Sequence, residues 1–276
     1  MSRISATEFP ASTGNVHPTA LVSSGAKIGK GVSIGPYCVI GDDVVLGDDV
    51  QLKSHVVLEG NTQIHDGCVI HPFAIIGSVP QDLKYQGEAS SVIIGSGTVI
   101  REHVTIHAGT IQGGMVTQVG RDCLLMVGVH IAHDCTVGDR VIMANNATLA
   151  GHVTVGEGAV LGGMCGVHQW VSIGCYAMIG FSSRCVFDVI PYGVVSSDDA
   201  CLKGLNWVGI KRLDATREER KAMKTAYQRL FKDGVTVEVA AEQLLAEAEP
   251  DSMVYQMVSF IMTERKRGLC FIYSDR

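Results

Sequence analysis

Aromatic side chains are scarce in this sequence: 7 Phe, 7 Tyr and 2 Trp, or 6% of 276 residues. Set beside 32 glycines, that ratio does not suit a doubly wound α/β enzyme. It suits a chain that turns sharply and often. Positive charge is not in excess either, and a net charge of −6 argues against a general nucleic-acid footprint. No apolar run approaches the roughly 18 residues that a membrane-spanning helix needs. The first ten residues, Met1 to Pro10, lack an apolar signal core, so a cytoplasmic location is expected. The 9 cysteines are odd in number and no two form a C-x-x-C pair, so neither a disulfide framework nor a zinc ribbon is expected. Apolar content is plentiful at 46%, which supports a large core and excludes disorder.

The glycines accompany a repeat. Every sixth residue from Val16 to Ile76 is aliphatic, 11 in succession. The phase resumes at Ile94, Ile100 and Ile106 and, after a slip of one residue, runs from Val119 to Ile179. Many of these residues are followed by glycine, as in Gly29, Gly35, Gly41, Gly138, Gly156 and Gly174. A period of six matches neither a helix nor a long strand. It matches short strands forming the flat sides of a triangular prism, with a tight corner after each where a Cβ would crowd. Three hexads then make one coil of 18 residues, so residues 18 apart are vertical neighbours in a parallel β-helix. Cys38, Cys68, Cys123, Cys135 and Cys165 each lie two positions before a repeat residue and are expected to be small inward-facing filler.

The repeat breaks twice. Between Ile76 and Ile94 the repeat slots hold Asp82 and Glu88, which do not belong in a dry interior, so residues near 78–92 are expected to leave the coil as a loop. A second loop is expected near 107–118, which carries Gly109, Gly113 and Gly114. Interruptions of a regular solenoid are where function is commonly placed. After Pro191 the hexads stop. Thr216-Arg217-Glu218-Glu219 reads as a capping box opening a helix to about Lys232, ended by Gly234, with further helices near 236–248 and 251–267. The expected organisation is a β-helix over 1–195 and a C-terminal helical domain over 196–276.

The 18-residue arithmetic gathers polar side chains on one edge: His133, Gly151 and Gln169 in one column, Asp134, His152 and Trp170 beside it, with His130 and His168 adjacent. Two chemistries suit the cluster. In the first, His133 is a general base supported by Asp134, and the Gly151 N–H meets a developing oxyanion. No Ser or Cys stands in these columns as a nucleophile, which favours direct transfer. In the second, His130, His133 and His152 hold Zn²⁺ with an open water position, as in a γ-class carbonic anhydrase-like hydratase.

The QDLKY loop from Gln81 to Tyr85, Ile106-His107, His130-Ile131-Ala132-His133-Asp134-Cys135, Asn145 to Val153 and Val167-His168-Gln169 together resemble the UDP-N-acetylglucosamine O-acyltransferases of lipid A biosynthesis. The resemblance spans nearly the whole chain. It implies a left-handed parallel β-helix, a homotrimer with sites between subunits, and transfer of an R-3-hydroxyacyl group from acyl carrier protein to the sugar 3-hydroxyl of UDP-GlcNAc. No cofactor is implied, since the acyl group arrives on the carrier's phosphopantetheine, and no metal. It also implies His133 as base, Asp134 as its support and Gly151 as oxyanion donor. Asp82 would contact the sugar, with Gln81 and Lys84 near it. His130, His152, His168 and Gln169 would line the substrate site, with Asn206 and Arg212 on the nucleotide side. The N-acyltransferases that act later share the β-helix but carry a separate N-terminal domain, whereas the repeats here start at Val16. A 3-amino acceptor remains open, because the same histidine could deprotonate either group.

Three positions depart from the family's pattern: Leu213 and Val208 stand where it has an arginine and a glutamate, and Asp199 where it has a histidine. Met178 and Phe181 fall on the stretch that measures acyl length in the family. A phenyl ring at 181, where relatives carry glycine, implies a shorter preferred chain. Residues 211–232 hold eight Lys or Arg against three acids, a basic stretch suited to steering an acidic carrier protein.

Overall fold

The computed structural model describes residues 16–196, 201–231, 234–264 and 266–270. The six-residue period is realised as strands of mostly two residues, such as Val39–Ile40, Val45–Leu46 and Gln51–Leu52, separated by turns. Up to Arg184–Cys185 each strand pairs in parallel with the third strand before or after it, in sheets of nine, eight and ten strands around one interior. The first sheet runs from Leu21–Val22 to Arg184–Cys185 and the second from Lys27–Ile28 to Ser172–Ile173. The third starts at Ser33–Ile34. This is a left-handed parallel β-helix. Register follows the 18-residue step, as in Ile131 opposite Leu149, Leu149 opposite Val167 and Val167 opposite Cys185.

The repeat residues fill the prism, Ile40, Leu58, Ile76, Ile106, Ile131 and Leu149 being at most 1% exposed. The five cysteines in the inward slot are buried, and four of their thiols point to corner carbonyls, as Cys38 Sγ to Lys53 O at 2.8 Å and Cys135 Sγ to Ala150 O at 3.2 Å. Burial pushes the Cys135 thiol up to about 12 and that of Cys68 to about 11. Glycine's part at the corner divides in two. A Cβ on Gly29 or Gly95 would lie 2.5 Å from the backbone of the coil above, so the residue after the repeat position is glycine because coils approach closely there. The left-handed corner position is instead held mostly by other residues, among them Asp134 (φ +60°), His152 (φ +62°) and Trp170 (φ +68°).

The two breaks leave the same edge, between the first and second sheets. Ile76 pairs with Ile106, 30 residues on, because Ile75–Ser78 and Ser91–Ile94 enclose the first loop. Ile94 pairs with Val119, 25 residues on, because of the second. That second loop is shorter than the sequence implied, since Thr105–His107 and Val116–Val119 are strands, and it contains a 3₁₀ turn over Ile111–Gly113.

Beyond the coils, Gly193–Ser196 and Cys201–Leu205 pair antiparallel on the third sheet, an addition the period did not foretell. Helix α1 (Trp207–Arg212) was also not anticipated; α2 (Arg217–Phe231), α3 (Val237–Glu247) and α4 (Met253–Met262) follow. The capping box holds, with Thr216 Oγ1 accepting from Glu219 N–H and the Glu219 carboxylate accepting from Thr216 N–H. The last helix stops at Met262 and not near 267, because residues after it return to the prism. Asp188 N–H donates to Gly268 O at 2.8 Å, and Cys270 N–H to Asp188 O at 2.8 Å. That return brings Lys266 and Arg267 to the histidine edge.

Candidate active site

The edge that releases both loops also carries, in the next coils up, the turns His133-Asp134, Gly151-His152 and Gln169-Trp170. His152 N–H donates to His133 O and Trp170 N–H to Gly151 O, which fixes the columns. His133 Nδ1–H donates to Asp134 Oδ2 at 2.7 Å, and both residues are buried. With its proton on Nδ1, the ring leaves Nε2 free to accept one. A Cβ on Gly151 would lie 2.6 Å from that Nε2, so the glycine lets backbone and imidazole share the space. The Gly151 N–H donates no hydrogen bond among the described residues.

Around this pair, His152 sits edge-on to His133 with ring centres 5.0 Å apart and stacks on Trp170 at 3.7 Å. Lys266 Nζ lies 3.1 Å above the other face of Trp170. His130 Nδ1 pairs with Thr105 Oγ1 at 2.8 Å, and its ring meets His107 edge-on at 5.2 Å. Burial first, then neighbouring positive charge, holds the pKa values of His107 and His130 below the ordinary histidine value. Burial also lowers that of His152, with Asp134 opposing and His133 and Lys266 reinforcing. His107, His130 and His152 are therefore kept neutral near pH 7, which suits a site for proton transfer rather than anion binding.

Several expected residues lie at its border. Asp82, half-buried in the first loop, accepts the Lys84 N–H at 2.9 Å, and its charge reaches His152, while the side chains of Gln81 and Lys84 are exposed. His168 Nδ1 accepts from Arg267 at 2.8 Å, and Gln169 O accepts from Arg267 Nε at 3.0 Å. Others are held elsewhere. Asn206 caps α1, accepting from Gly209 N–H and donating to Tyr176 O, so it stands at the edge of Gly158 and Tyr176. Arg212 is exposed at the end of α1; Val208 and Leu213 are on or beside that helix, and Asp199 lies outside the described residues. Phe181, 70% exposed, occupies the third edge beside Gly163, with half-buried Met178 before it.

The zinc arrangement does not form. His130 is paired with Thr105. Among the described residues, ligand atoms converge within 4.8 Å only for His133, Asp134 and His152. There Asp134 Oδ2 already accepts from His133 and Thr110, and Oδ1 accepts from the Thr110 N–H. Sequence reasoning missed Thr110, Thr117, Lys266 and Arg267. None shares an 18-residue column with His133.

Comparison with known proteins decides the lineage. Residues 188–270 match the family profile for domain 2 of UDP-N-acetylglucosamine O-acyltransferase, and 25–60, 43–78 and 117–151 match bacterial transferase hexapeptide repeats. The acyl-[acyl-carrier-protein]–UDP-N-acetylglucosamine O-acyltransferase of Verminephrobacter eiseniae is 43% identical over 240 residues, 86% of this chain and 92% of that protein. The chain belongs to the UDP-N-acetylglucosamine O-acyltransferase family. The family enzyme of Paracoccus denitrificans is 47% identical over 72% of this chain and 76% of its own. The solved UDP-N-acetylglucosamine acyltransferase of Francisella novicida superposes with a TM-score of 0.90 at 38% identity, covering 93% of this chain and 94% of that one. Membership in this acyltransferase family displaces the hydratase alternative.

Proposed function

We propose that this chain transfers an R-3-hydroxyacyl group from acyl carrier protein to the 3-hydroxyl of UDP-N-acetylglucosamine. The observation that carries the reading is the buried His133–Asp134 pair, with Nε2 beside an unengaged Gly151 N–H. His133 Nε2 takes the hydroxyl proton as the oxygen attacks the thioester carbonyl. The Gly151 N–H receives the resulting oxyanion. Collapse expels the pantetheine thiolate, which recovers the proton from His133. No further cofactor is needed, because the thioester supplies the activated acyl group. His130, His152, His168 and Gln169 line the acceptor site, Asp82 with Gln81 and Lys84 holds the sugar, and Asn206 and Arg212 serve the nucleotide from another edge.

A homotrimer accounts for that separation, since residues on different edges then meet across a subunit boundary. In support, the outward row of the first sheet is apolar in its early coils, with Leu21 68%, Val39 41% and Ile75 37% exposed. The same row leads on to Thr105 and His130. Acyl carrier protein would approach α2, where Arg217, Lys221 and Lys224 are exposed, although Arg229 is engaged by Glu247. No helix among the described residues is long and apolar enough to cross a membrane; we assign the enzyme to the cytoplasm, where its carrier substrate would be met. Mass spectrometry of the product formed from UDP-GlcNAc and acyl carrier proteins of graded chain length tests the reading. A mono-O-acylated nucleotide sugar is expected, and no acylated product would overturn it.

A further inference from the structure

The second inserted loop closes over the Asp134 carboxylate. Thr110, 1% exposed, donates its N–H to Oδ1 at 2.6 Å and its hydroxyl to Oδ2 at 2.6 Å. The same Oδ2 accepts the His133 Nδ1–H at 2.7 Å, and Asp134 N–H donates to Thr117 Oγ1 at 2.8 Å. The loop backbone follows the carboxylate closely, for a Cβ on Gly109 would lie 2.9 Å from Asp134 Oδ1 and one on Gly113 1.9 Å from its Cγ. Bonds from neutral donors to a buried carboxylate are short and about twice as strong as neutral pairs.

Such a grip has a purpose because Oδ2 has two suitors. His152 Nδ1 lies 3.6 Å from it, against 2.7 Å for His133. A carboxylate free to rotate about its Cβ–Cγ bond could transfer its acceptance from one imidazole to the other. The two bonds from Thr110, one to each oxygen, fix that rotation in favour of His133.

We propose that Thr110 is a positioning residue that assigns Asp134 to His133 rather than to His152, and that the second interruption of the coil exists to deliver it. This rests on His133 being the base. Thr110 touches neither substrate in this account; it acts through Asp134 alone.

The test compares Thr110→Val, which keeps shape and the backbone N–H but drops the hydroxyl, with Thr110→Ser, which keeps both donors. Full-length variants are assayed with UDP-GlcNAc and an acyl carrier protein thioester, alongside His133→Ala and Asp134→Asn. Expected are a fall in kcat of about 10-fold or more for Thr110→Val with KM within about twofold, and near-wild-type kcat for Thr110→Ser. In the Asp134→Asn background, Thr110→Val should cost little more, because the carboxylate it orients is gone. Wild-type kcat in Thr110→Val, or a loss that adds fully to that of Asp134→Asn, would overturn the proposal. Should Thr110→Val melt below the assay temperature, Thr110→Ala is read by the same criteria. An active His133→Ala would instead remove the base assignment, an outcome distinct from an inactive His133→Ala beside a normal Thr110→Val.

Discussion

Replacing Gly151 by alanine isolates the contact on which the geometry of the base depends. Gly151 does not have a left-handed φ, so alanine brings no backbone strain of its own. Its Cβ would lie 2.4 Å from His133 Cε1, 2.6 Å from Nε2 and 3.0 Å from Nδ1. Non-bonded carbons rest about 3.5–4.0 Å apart, so the imidazole must retreat by about 1 Å. Its room is limited: the ring is buried, bonded to Asp134 at 2.7 Å, and faces the edge of His152 at a centre distance of 5.0 Å. A displacement of that size from attack geometry costs about 100-fold in rate. Overpacking of this kind costs about 1–3 kcal/mol, which lowers Tm by roughly 2–5 °C in a chain of this size. Because alanine retains the N–H at 151, the rate loss reports the moved ring and not a missing oxyanion donor. Steady-state acyl transfer and a thermal melt measure both effects. Wild-type kcat/KM and wild-type Tm in Gly151→Ala would refute the reasoning.

Three other outcomes are expected. Burial lowers the pKa values of His71, His107, His130 and His152 from the ordinary 6.5, so the unfolded chain binds more protons as pH falls through 6.5, and stability is lost there. Tm should decline between pH 7.5 and about 5.5, before the carboxylates titrate; a flat Tm over that window would contradict it. The inward cysteines, with thiols pushed up to about 11 at Cys68, Cys123 and Cys165 and about 12 at Cys135, should resist iodoacetamide in the native protein. Intact-mass spectra after alkylation, with tryptic mapping, check this, and rapid labelling of Cys135 would be inconsistent with the fold. Phe181→Gly should move the preferred acyl chain to a longer one in an acyl carrier protein ladder; an unchanged preference would remove Phe181 from the acyl groove.

The columns of the site were legible because an 18-residue coil converts sequence spacing directly into vertical distance, which is how Gly151 falls beside His133. The first loop was legible because Asp82 and Glu88 occupy interior slots that no dry prism accepts. The grip on Asp134 was not. Thr110 lies inside the second insertion, off the coil register, and reaches Asp134 across 24 residues, while Thr117 lies 17 residues before Asp134, one position off a column. Lys266 and Arg267 were hidden for another reason. An apolar, helix-forming run continues to Met262, and nothing local announces that the chain then turns back to lie on Trp170 and His168. Asn206 also caps α1 and bonds to Tyr176 O, a structural role that no motif announced.

The central claim is that the His133 imidazole removes the acceptor proton. It is tested most directly by kcat/KM of His133→Ala for acyl transfer to UDP-GlcNAc, with the product identified by mass and the fold checked by thermal melt. Loss of a general base predicts a fall of about 10²–10⁴-fold in a variant that still melts cooperatively. A folded His133→Ala enzyme turning over at the wild-type rate would contradict the account.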